Sequence, residues 1–440
     1  MIFVNETNDS AKGAQKQVQA IISRIEEQVS KLPQTLEETV KAYGAITRRR
    51  MIKSATDLML ALFIYASPGM SQRLLAACSA VIGIADISDQ AWQKKIIKCE
   101  RWLSHVLTET MYKLPDKSKR AFRGRSVKLL DGTIIQQAGT KGKRGGELVR
   151  AHMCYNLTEG CMDSIILSDN SVAESVTVFT IEPGVLYIAD AGYGKGKNIA
   201  HIISCQADAL FRVTPNHLSL AEDQKGKIKI DMAKKLNTHA DIIDFICYVH
   251  SENRKYVPVR IVASRLPEDK ALLAKERKIR SALKRQTKNI REQTLVYAEW
   301  VILITTLSDG CSAGDLLKMY RSRWQIELLF KRIKQSFNVS QLPCASLTHS
   351  KVITMLWLIL WSLTERNALA MEAFLLERNM DMSLYTPWPM HSFLFHQLLV
   401  LINCLWALCF DPDDHSLAVF RRLRSHRSAR VCLYSALRFN

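Results

Sequence analysis

Between Ser126 and Thr214 the chain breaks into five short apolar runs, "SVKLLDGT", "AHMCYNL", "MDSIILSD", "GVLYIADAGYG" and "ALFRVT", each bounded by turn-forming residues. Runs of this length and composition are strands, and the helical stretch from Gly196 to Ala207 between the fourth and fifth makes the region a mixed α/β core. Two of the runs deliver an acid, Asp131 after "KLL" and Asp190 after "VLYIA", each followed by a glycine-containing turn. A strand aims such a carboxylate rigidly and the loop after it leaves the acid open, which suits a site residue. Asp after a strand is equally ordinary turn chemistry, so neither acid is decisive alone.

A third acid stands among cations in "YRSRWQIELLFKRIKQ", Tyr320 to Gln335. Read as one helix, with each residue turning about 100°, Tyr320, Arg323, Glu327 and Lys334 fall within an arc of about 60°. Met319, Ile326, Leu329, Phe330, Ile333 and Phe337 form the neighbouring apolar band by which the helix would be buried. In isolation Arg323 and Glu327 read as a solvated intrahelical pair. Taken with the two strand acids, Glu327 completes a set able to hold two hard divalent cations, because Mg²⁺ takes few carboxylates, keeps waters and accepts phosphate oxygens. Arg323 and Lys334 would then face phosphate, and Tyr320 would donate its hydroxyl to another phosphate oxygen.

Charge supports a polyanionic partner. Lys and Arg number 61 against 42 Asp and Glu in 440 residues, a formal net charge of +19. The basic residues form separate clusters, at 48–50, from Lys117, from Lys141, from Lys275 and from Arg421, a distribution that suits a long duplex better than one small anion. A hydrophobic fraction of 48% is enough for two or more cores and excludes a disordered chain. The 11 Cys show no CxxC pair and no Cys/His ligand spacing, so neither a disulfide framework nor a zinc site is expected. No secretory signal is read at the N-terminus. Residues 352–363 are too short to span a bilayer, and residues 393–410 carry His396, Gln397 and Asn403; both read as buried helices, giving a cytoplasmic protein without membrane contact.

The spacing Tyr320, two residues, Arg323, three residues, Glu327, six residues, Lys334 resembles the YREK signature of DDE transposases of the insertion sequence four family, which includes the transposase of bacterial transposon five. "LLDGT" at Asp131 resembles that family's first acidic block, and "ADAGYG" its second, with Asp190, Gly192 and Tyr193 in register and Ala191 where the family has Arg. Arg212 in "LFRVT" matches a strand arginine after the second block.

The resemblance implies a ribonuclease-H-like catalytic core with a β-rich insertion, flanked by helical regions. It makes Asp131, Asp190 and Glu327 the catalytic metal ligands, and Arg212, Tyr320, Arg323 and Lys334 the phosphate contacts. Trp300 and Trp324 match tryptophans that stack on a flipped base. It further implies two Mg²⁺ ions with Mn²⁺ able to substitute, binding to terminal inverted repeats and target DNA, and a homodimer in the synaptic complex. Cleavage would run through a hairpin before the 3′ ends are joined to target. The expected regions are 1–120, helical and DNA-binding, with N-caps at Ser71 and Ser88; 121–213 and 300–345, the core; 214–299, the insertion with a basic helix from Pro267; and 346–440, helical. A nuclease without strand transfer, or an inactive DNA-binding relative, are the alternatives. His152, Asp163 and Asp169 read as polar surface or core residues.

Overall fold

The computed structural model describes residues 20–67, 69–111, 122–135, 149–159, 161–169, 171–252, 255–284, 291–307, 310–336, 346–380 and 387–407. The basic clusters at 141–144 and 421–430, residues 117–121 and 285–290 of two others, and residues 408–440 of the C-terminal region lie outside the described residues. The chain divides into two compact units, one formed by residues 1–110, 137–147 and 336–440 and the other by 111–136 and 148–335.

The first unit is helical: α1 (residues 20–30), α2 (Leu36–Ala42), α3 (Ala55–Tyr65), α4 (Gln72–Val81), α5 (Asp89–Lys98), α6 (Glu100–Met111), α13 (Leu347–Glu377) and α14 (Pro387–Ala407). Helix α3 is buried from Leu58 to Tyr65, and its start is fixed by a capping box between Ser54 and Asp57. Ser71 and Ser88 cap α4 and α5 as the sequence predicts, each accepting from an amide three residues on. Lys95 on α5 donates to the Ala45 carbonyl, and burial lowers its pKa. The long helix α13 is tied into the unit by Trp357 Nε1 donating to the Ala66 carbonyl at 2.9 Å and Arg366 donating to the Thr110 carbonyl. No described helix is long and apolar enough to cross a membrane.

The second unit is built on one nine-stranded sheet in the order β3-β2-β1-β4-β5-β9-β8-β7-β6. Its strands are β1 (Val127–Ile135), β2 (Val149–Asn156), β3 (Cys161–Ser168), β4 (Leu186–Ala189), β5 (Asp208–Arg212), β6 (Leu220–Ala221), β7 (Ile242–His250), β8 (Tyr256–Arg265) and β9 (Trp300–Thr305). The five apolar runs of the sequence are β1 to β5, and α7 (Gly196–Ser204) connects β4 to β5. β1, β4 and β5 run parallel, while β2 is antiparallel to β1 and β3 to β2. This is the ribonuclease-H-like core. β9 extends it antiparallel to β5, and β8, β7 and β6 continue the same ladder, so the strands of the insertion form no sheet of their own. The remaining helices are α8 (Met232–Leu236), α9 (Glu268–Lys284), α10 (Glu292–Ala298), α11 (Ala313–Arg321) and α12 (Trp324–Ser336).

Two features differ from the sequence reading. Asp131 lies within β1 instead of at its end, because β2 goes on pairing with β1 as far as Ile135 after the parallel partner β4 has ended at Ala189. The segment from Tyr320 to Gln335 is two helices. Ser322 donates from Oγ to the Met319 carbonyl at 2.6 Å, and the Ser322 and Arg323 amides bond to carbonyls only three residues back. This local competition for the Met319 carbonyl ends α11, and α12 restarts at Trp324.

Gly196 opens α7 in direct contact with β7. A Cβ placed there would come within 1.8 Å of the His250 carbonyl oxygen, a backbone atom that cannot step aside. Gly196→Ala is therefore expected to destabilise the protein by about 1–3 kcal/mol, the usual cost of overpacking, measured as a lower denaturant midpoint with unchanged slope.

Candidate active site

Register places the first two acids together. Leu130 pairs with Ala189 across the parallel β1/β4 ladder, so the next residues on the two strands, Asp131 and Asp190, emerge side by side. Each carboxylate is steadied by a following glycine amide: Gly132 N–H donates to Asp131 Oδ1 at 2.8 Å and Gly192 N–H to Asp190 Oδ1 at 2.9 Å. Burial raises the Asp131 pKa to about 6; the Gly132 bond opposes this, the Asp190 charge adds to it, and Arg323 partly offsets it.

The third acid arrives on α12. Ile326, Leu329 and Phe330 are its buried face. Lys334 donates from Nζ to Thr133 Oγ1 at 2.5 Å, two residues along β1 from Asp131 and on the same face of the strand, which pins the helix over the aspartates. Glu327 accepts from Arg323 Nη2 at 2.6 Å, and the same guanidinium acts on Asp131. Arg323 also lies 5.8 Å from the centre of the Tyr320 ring. Burial raises the Tyr320 pKa, while the charges of Arg323 and Arg212 oppose that shift. The structure thus gathers Asp131, Asp190, Tyr320, Arg323, Glu327 and Lys334 into one neighbourhood, with Arg212 at the end of β5 within electrostatic reach.

The two tryptophans are placed differently. Trp324 is 59% exposed at the start of α12. Trp300 is 2% exposed within the hydrophobic core, with the Arg265 guanidinium 4.7 Å from its ring centre, so its face is closed to a base in this conformation. Asp163 pairs with the buried Lys128 at 2.6 Å, His152 bonds to Ser168, and Asp169 bonds to Ser171.

One acid at the site went unread in the sequence. Glu174, in the loop after β3, carries its carboxylate into the space beside Gly132 and Gly192. Nothing in "DNSVAESVTV" marks it, since it ends no strand and belongs to no spacing motif. Burial and the Asp190 charge raise its pKa, while Arg150, 3.9 Å away, and Lys195 oppose the shift.

These residues suit a hard divalent cation. The donors are carboxylate oxygens, three negative groups share a part-buried space, and the fully buried Tyr193 hydroxyl, close enough to feel Glu174, Asp131 and Asp190, has no hydrogen-bond partner among the described residues. Among the described residues no three acids, histidines or cysteines close on one point as a finished cage. Mg²⁺, which keeps several waters and needs only one or two carboxylates, tolerates such a site.

Known proteins of similar sequence point to one family. The family described as Transposase DDE domain matches residues 122–363. The InsL protein of insertion sequence element IS186A from Escherichia coli strain K12 is 30% identical over 322 residues, which cover 70% of this chain and 84% of that protein. The transposase for insertion sequence element IS421 from Escherichia coli is 30% identical over 323 residues with the same shares covered.

The raised Asp131 pKa has a consequence for stability. With a folded value of about 6 and an unfolded one near the ordinary carboxylate value of about 4, the folded state holds the extra proton between them, so stability falls as pH rises through this window. Asp131→Asn is expected to raise the melting temperature by a few degrees in EDTA at pH 8, with the difference disappearing by pH 4. A variant that melts below the wild type at pH 8 would contradict the assigned cause.

Proposed function

The chain belongs to the DDE transposases of insertion sequences, and we propose that it binds the terminal inverted repeats of its element, cuts the DNA there and joins the freed 3′ ends to target DNA. The observation that carries this reading is the side-by-side emergence of Asp131 and Asp190 from parallel strands, with α12 pinned above them by Lys334 on Thr133.

In this reading Asp131, Asp190 and Glu327 hold two Mg²⁺ ions, which supply activation of the attacking oxygen and charge stabilisation at the leaving oxygen of an in-line displacement. The protein's own part is to bind and orient. Lys334 and Arg323 neutralise phosphate oxygens beside the scissile bond, Arg323 doing so by exchanging its Glu327 partner for phosphate. Tyr320 donates its hydroxyl to a further phosphate oxygen. Arg212 extends the basic rim toward the flanking backbone. Attack by water on the end phosphodiester opens the first strand and releases its 3′-hydroxyl; that hydroxyl attacks the opposite strand, expelling the flanking strand's 3′-oxygen to form a hairpin; a second water opens the hairpin and restores the 3′-hydroxyl that is joined to target, and each step would use the same acids.

Trp324, exposed next to Arg323, is positioned to stack on an unpaired base. Trp300 could take that role only by moving out of the core. The helical region over 1–120 and the insertion over 214–299, whose helix α9 has no buried residue, are the proposed DNA-binding extensions, and two copies act together on paired ends. This charge distribution leads us to expect DNA affinity that falls steeply and log-linearly with salt.

The experiment is to incubate the protein with Mg²⁺ and a labelled duplex of the terminal repeat. Glu327→Gln should reduce strand cleavage on the order of a thousandfold, as expected for loss of a charge stabiliser in the transition state. Equal cleavage by variant and wild type would remove Glu327 from the reaction. Nicked end DNA without any joined product would favour a nuclease of the same core.

A further inference from the structure

Glu174 reaches the aspartates through two missing side chains. An ideal Cβ on Gly192 would lie 2.1 Å from Glu174 Oε2 and 3.1 Å from Asp190 Oδ1; one on Gly132 would lie 3.0 Å from Glu174 Oε1. The glycines that follow the two acids therefore make the space in which the Glu174 carboxylate sits, and that carboxylate touches both acid-bearing segments.

The loop carrying Glu174 is fixed from behind. Val176 is fully buried, Ser175 Oγ donates to Asn198 Oδ1 at 3.0 Å, and the buried Asn198 donates from Nδ2 to the Tyr193 carbonyl at 2.9 Å. Glu174 is thus locked to the same turn that presents Asp190. Its one ion-pair partner within 4 Å among the described residues is Arg150, at 3.9 Å, too long for a tight bond. The orphaned Tyr193 hydroxyl is buried within electrostatic reach of Glu174, Asp131 and Asp190. A lightly paired carboxylate and an unpaired phenol facing one space mark a position for ordered water around a bound ion.

We propose that Glu174 is the outer carboxylate of the divalent-cation site: it accepts hydrogen bonds from the waters that hydrate the ion held by Asp131 and Asp190, and adds its negative charge to theirs. This rests on the reading of those two aspartates as metal-holding. The role parallels that of groups behind metal ligands elsewhere, whose loss typically weakens metal binding by about 10–100-fold.

The test is Mn²⁺ binding to the full-length, DNA-free protein, followed by calorimetry or by the loss of the free-ion paramagnetic resonance signal, with thermal melting in parallel. Glu174→Gln keeps the shape and removes the charge, and is expected to weaken Mn²⁺ binding about tenfold or more without lowering the metal-free melting temperature. Gly192→Ala leaves the charge but displaces the carboxylate, and should weaken binding in the same direction. Asp190→Asn provides the reference. If Asp190→Asn loses Mn²⁺ while Glu174→Gln and Gly192→Ala both bind it within twofold of wild type, Glu174 has no part in the site and the proposal falls. If Asp190→Asn itself binds like the wild type, the metal-holding reading of the aspartates fails, and the proposal fails with it.

Discussion

The hydrogen-bonded register between β1 and β4 decides where everything else in the catalytic unit must go. Pairing Leu130 with Ala189 sets two carboxylates next to each other at the point where the parallel ladder stops. Burial strips hydration from the Asp131 carboxylate and the Asp190 charge beside it adds repulsion, which is why its pKa is raised to about 6. The rest of the site answers that cost. Arg323 and Lys334 come from α12 and the turn before it, Arg150 from β2, Lys195 from the turn before α7, and two glycine amides bond the acids directly.

The same logic accounts for the mixed signs of the Tyr320–Gln335 segment. A helix bearing only acids would sharpen the repulsion at the aspartates, and one bearing only cations would leave nothing to complete the acid set. By placing Glu327 between Arg323 and Lys334, α12 and its leading turn approach the aspartates with a net positive face. In the DNA-free protein Arg323 covers Glu327, and the anchoring bond of Lys334 to Thr133 is made by a side chain that would also meet phosphate.

Much of this was legible beforehand, for identifiable reasons. The strands announced themselves because short apolar runs bounded by turn residues have few other ways to fold, and the acids stood out because each followed such a run directly. The Tyr-Arg-Glu-Lys spacing was visible because its members are near in sequence. What escaped depended on partners far away in the chain. Asp131 as a mid-strand residue follows from how far β2 continues, which no local pattern states. The break at Ser322 has neither Gly nor Pro and arises from a hydroxyl competing for one carbonyl. Trp300 was expected to lie open, but it belongs to the strand β9 that is walled in by the core on one side and capped by Arg265. Glu174 sits in a loop whose only clue is the pair of glycines elsewhere that make room for it.

The turn from Asp190 to Gly196 spends three glycines on three different neighbours. Gly192 yields to the Glu174 carboxylate, Gly194 to the Arg212 carbonyl, and Gly196 to the His250 carbonyl. Two of the three face backbone, which cannot rearrange to accept a side chain, so these glycine positions have almost no freedom to vary by substitution. A selection for altered metal preference or cutting rate would find little to use there. Variation has to enter from the opposite wall, at Glu174 and Arg150, where a side chain can change length or charge without disturbing a backbone contact of the turn.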